Sequence, residues 1–144
     1  MSTLGGPLLL LSATEFEVEP LTHAFQPEDA SPPSLPVGWR ARWGDLAGVR
    51  CVAVATGVGK ANAAALTALA VKAFRPAALL LVGIGGAFVE AGLPTGQAAL
   101  AESDTHLDTG VGQGAAWTDM RSIGFALLPA TPARGNAVYN RIEQ

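Results

Sequence analysis

Two glycine-rich turns, each at the end of an apolar run, constrain the fold of this chain more than any other feature. The first run, residues 49–55, leads into Gly57-Val58-Gly59, and the second, residues 78–82, leads into Gly83-Ile84-Gly85-Gly86. The alanine-rich residues 60–74 between them predict a helix. Strand, glycine turn, helix and strand predict an α/β fold with a largely parallel or mixed sheet. Such folds bind small ligands at the carboxyl ends of strands, where glycine lets the backbone approach closely.

The residues before the first turn predict a strand, a helix and a hairpin. Residues 8–13 form a short apolar run that reads as a buried strand. Thr14 is a suitable N-cap for a helix that reaches about Phe25. Residues 39–43 alternate apolar and polar side chains, which predicts a half-exposed strand. We expect Gly44-Asp45 to turn this strand back into the next apolar run.

The remaining segments carry weaker signals. The proline-rich residues 26–36 predict a surface loop, and residues 97–102 predict a further strand. The glycines at 110, 112 and 114 are typical of a mobile loop. The helix at residues 60–74 carries alanine, leucine or valine on nearly every side. We therefore expect it to be buried all round or to pack against another subunit.

Composition excludes several classes of protein. A chain of 144 residues is long enough for one domain with a real core. Hydrophobic residues make up 49% and charged residues 15%, more apolar than a monomer surface needs, which predicts an oligomer or a missing partner segment. The net charge of −3 argues against a nucleic-acid partner. Cys51 is the single cysteine, so a disulfide within the chain and a cysteine-based zinc site are excluded.

Targeting signals are also lacking. No lysine or arginine precedes Leu8–Leu11, so the start does not resemble a signal peptide. Polar residues and Pro76 interrupt residues 61–82, so no membrane span is predicted. These patterns predict a soluble cytoplasmic protein with no membrane partner.

The glycine turns do not match the nucleotide-binding motifs that they suggest. Gly57-Val-Gly-Lys60 lacks the spacing of a phosphate-binding loop, and Ala61 stands where that loop needs a hydroxyl. The turn at residues 83–86 lacks the third glycine spacing of a dinucleotide fingerprint. Both stretches are tight turns whose backbone could also line a pocket for a small ligand.

Two groups of polar residues are candidates for a site. Thr14-x-x-Glu17 matches a capping box, in which the glutamate returns to the amide of the cap residue. Glu102, Asp104, His106 and Asp108 alternate, so on a continuing strand they would share one face. That face could be a solvated or interface edge, the rim of a pocket or, less simply, a metal site.

Four segments, in their order and spacing, resemble the methylthioadenosine/S-adenosylhomocysteine nucleosidases of the nucleoside phosphorylase and hydrolase superfamily. They are Ala13–Val18, Thr56–Lys60, Phe74–Pro76 and Ala101–Asp108. The resemblance covers about two thirds of the chain. Those nucleosidases usually carry a serine at the position of Ile84. The second glycine turn through Phe88, together with residues 101–111, is more similar to futalosine hydrolase.

The resemblance implies a mixed sheet flanked by helices, and hydrolysis of the N-glycosidic bond of a purine nucleoside. For futalosine the products would be hypoxanthine and dehypoxanthine futalosine, in a menaquinone pathway. Glu17 lies where the family has the carboxylate that activates water, and its charge would stabilise an oxocarbenium-like transition state. Glu15 is the alternative carboxylate. Related phosphorylases have a glycine-proline-arginine loop where this chain has Ala13-Thr14-Glu15, which favours water over phosphate.

The same resemblance implies the binding residues and partners. It implies a small-molecule purine nucleoside as substrate, no cofactor, no metal and a homo-oligomer. We expect Glu102, His106 and Asp108 to lie at a pocket rim or an interface. The expected substrate-binding residues are Ala13, Gly57, Val58, Gly59, Ile84, Gly85 and Gly86.

The family continues with a ribose-binding segment and an aspartate that protonates the leaving base, and neither has a match after Asp108. We therefore expect residues 1–144 to form a single nucleosidase-like α/β domain that is truncated at the carboxyl terminus, with its general acid unaccounted for. A methylthioadenosine/S-adenosylhomocysteine nucleosidase, a purine nucleoside phosphorylase and an inactive ligand-binding or scaffold fragment stay open as alternatives.

Overall fold

The computed structural model describes residues 5–26, 33, 35–36 and 39–143. These residues form two compact units, which divide after Ala87. Most of the surface loop predicted at residues 26–36 lies outside the described residues.

The first unit is built on a four-stranded mixed sheet. Its strands are β1 (Leu8–Ser12), β2 (Ala41–Leu46), β3 (Val49–Ala55) and β4 (Ala78–Leu81), in the order β2-β3-β1-β4. The central strand β1 runs parallel to both β3 and β4, while β2 and β3 form an antiparallel hairpin. The predicted α/β class with a mixed sheet is confirmed.

One helix lies against each face of this sheet. Side chains alternate between the two faces of a strand, so β1 and β3 contribute to two core clusters. Helix α2 (Lys60–Phe74) places Leu66, Ala70 and Phe74 against Leu9, Leu11, Val52 and Val54. Helix α1 (Glu15–His23) places Val18 against Leu10, Cys51 and Ala53. The result is a three-layer arrangement whose core lies on both sides of β1 and β3.

The hairpin turns three residues later than the sequence indicates. Gly44 and Asp45 lie within β2, and the turn is made by Ala47 and Gly48. A Cβ atom on Gly44 would overlap Phe25, so this glycine gives room to a side chain packed across the strand. Gly48 has a φ of +85° and Ala47 has a φ of 52°, the positive values that a two-residue hairpin turn requires.

Two apolar elements are less buried than predicted. The apolar run at residues 78–82, whose composition is typical of a buried strand, forms the edge strand β4 (Ala78–Leu81), and the residues of β4 are exposed. In α2 only one face is buried, because Leu66, Ala70 and Phe74 follow each other at four-residue intervals. Leu69 and Val71, on the other faces of α2, are exposed. Of the two alternatives for α2, burial all round is wrong for this chain, and packing against another subunit stays a prediction.

The second unit contains two short antiparallel strand pairs. β5 (Ser103–Thr105) pairs with β8 (Arg141–Glu143), and β6 (Gly110–Val111) pairs with β7 (Thr118–Asp119). The strand predicted at residues 97–102 is therefore wrong, since the strand begins at Ser103. The glycines of the predicted mobile loop lie in and beside the β6–β7 hairpin. Cβ atoms on Gly110 and Gly112 would overlap the facing strand and turn, which explains the need for glycine there.

Asn140 holds the second unit together. Its side-chain amide donates to the carbonyl oxygens of His106 at 2.8 Å and Thr109 at 2.6 Å. Its side-chain oxygen accepts from the Met120 amide, and its own carbonyl accepts from the His106 amide, both at 2.8 Å. Across the described residues of both units, no helix has the length and apolar character needed to cross a membrane.

Candidate active site

The carboxyl ends of β1, β3 and β4 meet at one edge of the sheet. The Thr56 amide, just after β3, donates to the Ser12 carbonyl at 2.8 Å. The Val82 amide, just after β4, donates to the Leu11 carbonyl at 2.7 Å. Because the three strands are parallel, the segments that follow them share this edge. Ala13, the turn at residues 57–59 and the turn at residues 83–86 are therefore brought to the same side of the first unit.

Glu17 lies at this edge, in the first turn of α1. Its Oε2 atom accepts hydrogen bonds from the Thr14 amide at 2.8 Å and from the Thr14 hydroxyl at 2.9 Å. The predicted capping box is thus formed. The other oxygen, Oε1, accepts a longer hydrogen bond of 3.4 Å from the Ile84 amide. This contact joins the start of α1 to the second glycine turn, which is 67 residues away in the chain.

These donors keep Glu17 ionised. The Thr14 hydroxyl, followed by the Thr14 and Ile84 amides, lowers the pKa of Glu17 below its ordinary value. Hydrogen bonds to a carboxylate favour its charged form. Glu17 is therefore an anion at neutral pH and could stabilise a positive charge that develops beside it.

Buried hydroxyls fix the backbone at the ends of β1 and β3. Thr56 is 2% exposed, and its hydroxyl contacts the carbonyl oxygens of Ser12 and Gly57, each at 3.0 Å. Ser12 is fully buried, and its hydroxyl donates to the Thr14 carbonyl at 2.7 Å. The Ser12 hydroxyl is therefore committed to the chain that leads into α1.

The first glycine turn leads directly into α2. Gly57 and Gly59 have φ values of +84° and +102°, which other residues adopt only with strain. The Asn62 side chain donates to the Val58 carbonyl at 2.8 Å and so ties the turn to the first turn of α2. The Val58 side chain is 73% exposed. This turn presents backbone and one apolar side chain at the sheet edge.

The second glycine turn is open. Ile84 is 69% exposed, and Cβ atoms on Gly85 or Gly86 would contact nothing within 4 Å. Gly83 is different, because a Cβ atom there would lie 3.2 Å from Oε1 of Glu17. Gly83 is thus the glycine whose backbone lies close to the Glu17 carboxylate. Gly85 and Gly86 border open space beside the turn.

The acidic and histidine residues of the second unit do not share a strand face. Of Glu102, Asp104, His106 and Asp108, only Asp104 lies in β5. The strand ends at Thr105, so the alternation that would align the four residues is interrupted. The predicted shared face is wrong for this reason. No group of three or more possible metal ligands lies together in the described part of the chain.

Neither Thr14 nor Gly83 was among the expected catalytic and substrate-binding residues. Thr14 donates two hydrogen bonds to Glu17, from its amide and its hydroxyl, and the capping-box pattern carries that signal. Gly83 approaches Oε1, but its contact depends on the pairing of β4 beside β1, which no local pattern reveals. His23 is exposed, and its Nε2 atom lies 3.6 Å from the Glu19 carboxylate.

Comparison with known proteins identifies the class. The sequence profile of the phosphorylase superfamily matches residues 7–141. The chain therefore belongs to the phosphorylase superfamily. A comparison with proteins of curated function gave no significant match.

Two solved methylthioadenosine/S-adenosylhomocysteine nucleosidases and one solved S-adenosylhomocysteine nucleosidase share the fold. The Colwellia psychrerythraea enzyme, solved with adenine, is 25% identical with a TM-score of 0.65, over 92% of this chain and 49% of that one. The Neisseria meningitidis enzyme, solved with methylthio-immucillin-A, is 24% identical with a TM-score of 0.62, over 96% and 52%. The Streptococcus pyogenes enzyme, solved with 5-methylthiotubericidin, is 21% identical with a TM-score of 0.58, over 81% and 51%. The chain spans about half the length of these structures.

Proposed function

We propose that this chain is a nucleosidase, which hydrolyses the N-glycosidic bond of a purine nucleoside with water as the nucleophile. The observation that carries the proposal is the Glu17 carboxylate, which lies past the carboxyl end of β1 and accepts a hydrogen bond from the second glycine turn. Membership of the phosphorylase superfamily supports chemistry at a nucleoside. The segment before Glu17, Ala13-Thr14-Glu15, lacks the arginine of a phosphate loop, which favours water over phosphate.

In the proposed hydrolysis, the Glu17 carboxylate accepts a proton from water and stabilises the positive charge on the sugar. Glu17 accepts a proton from water while the water oxygen forms a bond to the anomeric carbon. The bond between that carbon and the base nitrogen breaks, and its electron pair leaves with the base. The sugar passes through an oxocarbenium-like state, which the negative charge of Glu17 stabilises. No residue of the chain is assigned as the acid that protonates the departing base.

Futalosine is the proposed substrate, with hypoxanthine and dehypoxanthine futalosine as products. The support is the sequence of the second glycine turn, with Ile84 where a serine is usual in methylthioadenosine nucleosidases, and the stretch from Ala101 to Val111. The proposed contacts to the nucleoside come from Ala13, the turn at residues 57–59, and Ile84 with its two following glycines. We place Glu102, His106 and Asp108 at a pocket rim or interface as part of the same proposal.

A methylthioadenosine/S-adenosylhomocysteine nucleosidase is the second candidate. The similarity to the Colwellia psychrerythraea enzyme, which was solved with adenine, favours it. The two candidates differ in the base released, hypoxanthine or adenine. We also propose that residues 1–144 belong to one nucleosidase domain, that the protein acts in the cytoplasm, and that it forms a homo-oligomer, as the resemblance implies.

Chromatographic detection of free purine tests the proposal. The chain is incubated with futalosine, methylthioadenosine and inosine, each with and without phosphate, and a melting curve shows that it is folded. Glu17→Gln is the matched control, since it keeps the shape of the side chain and removes its charge. The proposal expects hypoxanthine from futalosine without phosphate, and none from the variant.

Other outcomes separate the alternatives. Adenine from methylthioadenosine without phosphate would favour the second candidate, and release that requires phosphate would indicate a phosphorylase. Equal release by Glu17→Gln would contradict the role of Glu17. A folded chain that releases no purine from any substrate would be an inactive ligand-binding or scaffold form of the family fold.

A further inference from the structure

The two oxygens of the Glu17 carboxylate have unequal surroundings. Oε2 accepts two short hydrogen bonds from Thr14, at 2.8 Å and 2.9 Å. Oε1 accepts one bond of 3.4 Å, near the upper limit for a hydrogen bond, from the exposed Ile84 amide. A carboxylate has about four lone-pair positions, so Oε1 keeps the capacity to accept a stronger bond while Oε2 has its two positions filled.

Resting on the proposed nucleosidase function, we propose that Thr14 is a positioning residue that occupies Oε2 and thereby leaves Oε1 as the atom that accepts the proton of water. Thr14 touches neither water nor substrate in this scheme. It fixes the rotation of the carboxylate so that Oε1 points to the turn at Gly83-Ile84. Correct orientation of a reacting group is worth a large factor in rate, and small displacements reduce it strongly.

Gly83 limits the approach to Oε1 from the other side. A Cβ atom there would lie 3.2 Å from Oε1, closer than an ordinary van der Waals contact. The backbone at Gly83 does not have a positive φ, so alanine would impose crowding without backbone strain. The substitution Gly83→Ala therefore probes Oε1 alone, while substitutions of Thr14 probe Oε2.

Among the described residues, no charged group contributes to the lowered pKa of Glu17. Helix α1 carries Glu15, Glu19 and His23, and the latter two pair with each other at 3.6 Å. Glu15 and Glu19 are each two residues from Glu17 and so face other sides of the helix. Strand β1 and residues 82–88 carry no charged side chain. The groups that set the state of Glu17 are the neutral donors of Thr14, Ile84 and Ala13.

The test combines a titration that needs no activity with kinetics. Thr14→Val removes the hydroxyl and keeps the amide and the shape of the side chain, and Thr14→Ser restores the hydroxyl. The pKa of Glu17 is measured by NMR of its carboxyl carbon, which is assigned by comparison with Glu17→Gln. The acid limb of the pH profile of kcat/KM for purine release is measured in the same variants.

The proposal expects a higher Glu17 pKa in Thr14→Val, a matching shift of the acid limb, and a kcat lowered roughly ten- to hundredfold with KM nearly unchanged. Thr14→Ser is expected to restore most of both. Gly83→Ala is expected to lower kcat while the Thr14 contacts persist, and it decides the matter if Thr14→Val does not fold. An unchanged Glu17 pKa in Thr14→Val, or full kcat in Gly83→Ala, would overturn the proposal. No purine from the wild type, with the expected titration, would overturn the nucleosidase function and the role of Oε1 but not the hold of Thr14 on Oε2.

Discussion

At the scale of single residues, Glu17 combines a structural and a chemical role. The same hydrogen bonds that cap α1 also keep the carboxylate ionised and oriented. One glutamate can therefore both cap the helix and take part in catalysis. The cap uses Oε2, and Oε1 faces the second glycine turn. A lowered pKa makes Glu17 a weaker base, so stabilisation of positive charge in the transition state is expected to be a large part of its effect.

The lowered pKa of Glu17 predicts a pH-dependent contribution to stability. The folded state favours the ionised carboxylate, so the stabilisation is complete above the pKa that Glu17 has in the unfolded chain. It is lost as the pH falls through the lower pKa of the folded protein. Urea unfolding of wild type and Glu17→Gln at several pH values measures it. The wild type is expected to be more stable at neutral pH, and the difference to shrink at acid pH.

Asp119 in the second unit also contributes to the pH dependence of stability, in the wild type and in Glu17→Gln alike. Hydrogen bonds from the Ser122 hydroxyl and amide, more than the nearby Arg121, lower its pKa. Glu17→Gln is therefore expected to retain part of the acid sensitivity of the wild type. A difference between wild type and variant that does not change with pH would contradict the assigned state of Glu17.

Asn140 predicts a large effect at a position without a catalytic role. It is 7% exposed, and its side chain satisfies the Met120 amide and two carbonyl groups. Asn140→Ala would leave these partly buried groups without their partner, at a cost of roughly 1–3 kcal/mol. Hydrogen exchange at the Met120 amide and thermal unfolding measure the loss. Asn136→Ala, at an exposed position, is the control and is expected to have little effect.

At the scale of elements, the sequence predicted those whose signals are local. Strand β1, the start of α1 at its capping box, and the whole of α2 follow from short patterns of apolar and capping residues. The predicted β2–β3 turn was misplaced because Gly44 is not a turn residue. It lies within β2, where the absence of a side chain leaves room for Phe25. Strand β5 and the β6–β7 hairpin were missed because they depend on contacts with Asn140 and Trp117 rather than on local pattern.

The candidate site divides in the same way. The capping contact joins Thr14 to Glu17, three residues later in the chain, and could be predicted from the sequence. The contact between Glu17 and Ile84 depends on β4 pairing beside β1, which requires the order of strands in the sheet. The shared strand face predicted for Glu102, Asp104, His106 and Asp108 was wrong because it assumed a strand longer than the one that forms.

The one-sided burial of α2 predicts opposite outcomes for two leucines on the same helix. Leu66 is 1% exposed and Leu69 is 39% exposed. Leu66→Ala would leave a cavity against β1 and β3 and is expected to lower the free energy of unfolding by roughly 2–5 kcal/mol. Leu69→Ala, a substitution of the same chemistry, is expected to change it by less than about 1 kcal/mol. Denaturant unfolding compares them, and equal losses would show that Leu69 is buried in solution.

At the scale of the whole molecule, many of the apolar side chains are exposed at the surface of the described chain. Leucines of β4 and of α2 are exposed in the described chain, together with Val58 and Ile84 at the sheet edge. Strand β4 pairs with β1 on one side and, among the described residues, with no strand on the other. Exposed edge strands are usually protected by charged side chains, which discourage pairing with a further strand. The three leucines of β4 provide no such charge.

This edge predicts concentration-dependent self-association of the 144-residue chain. An open apolar edge offers unpaired amide and carbonyl groups as well as leucine side chains, whereas the exposed face of α2 offers side chains only. Leu79→Lys, at a position 44% exposed, is expected to reduce association in analytical ultracentrifugation without lowering the melting temperature. Val71→Lys, at 41% exposed on α2, introduces the same charge where backbone groups are already bonded. If Val71→Lys alone disperses the chain, the association runs through the helix; if only Leu79→Lys does, backbone pairing at β4 drives it.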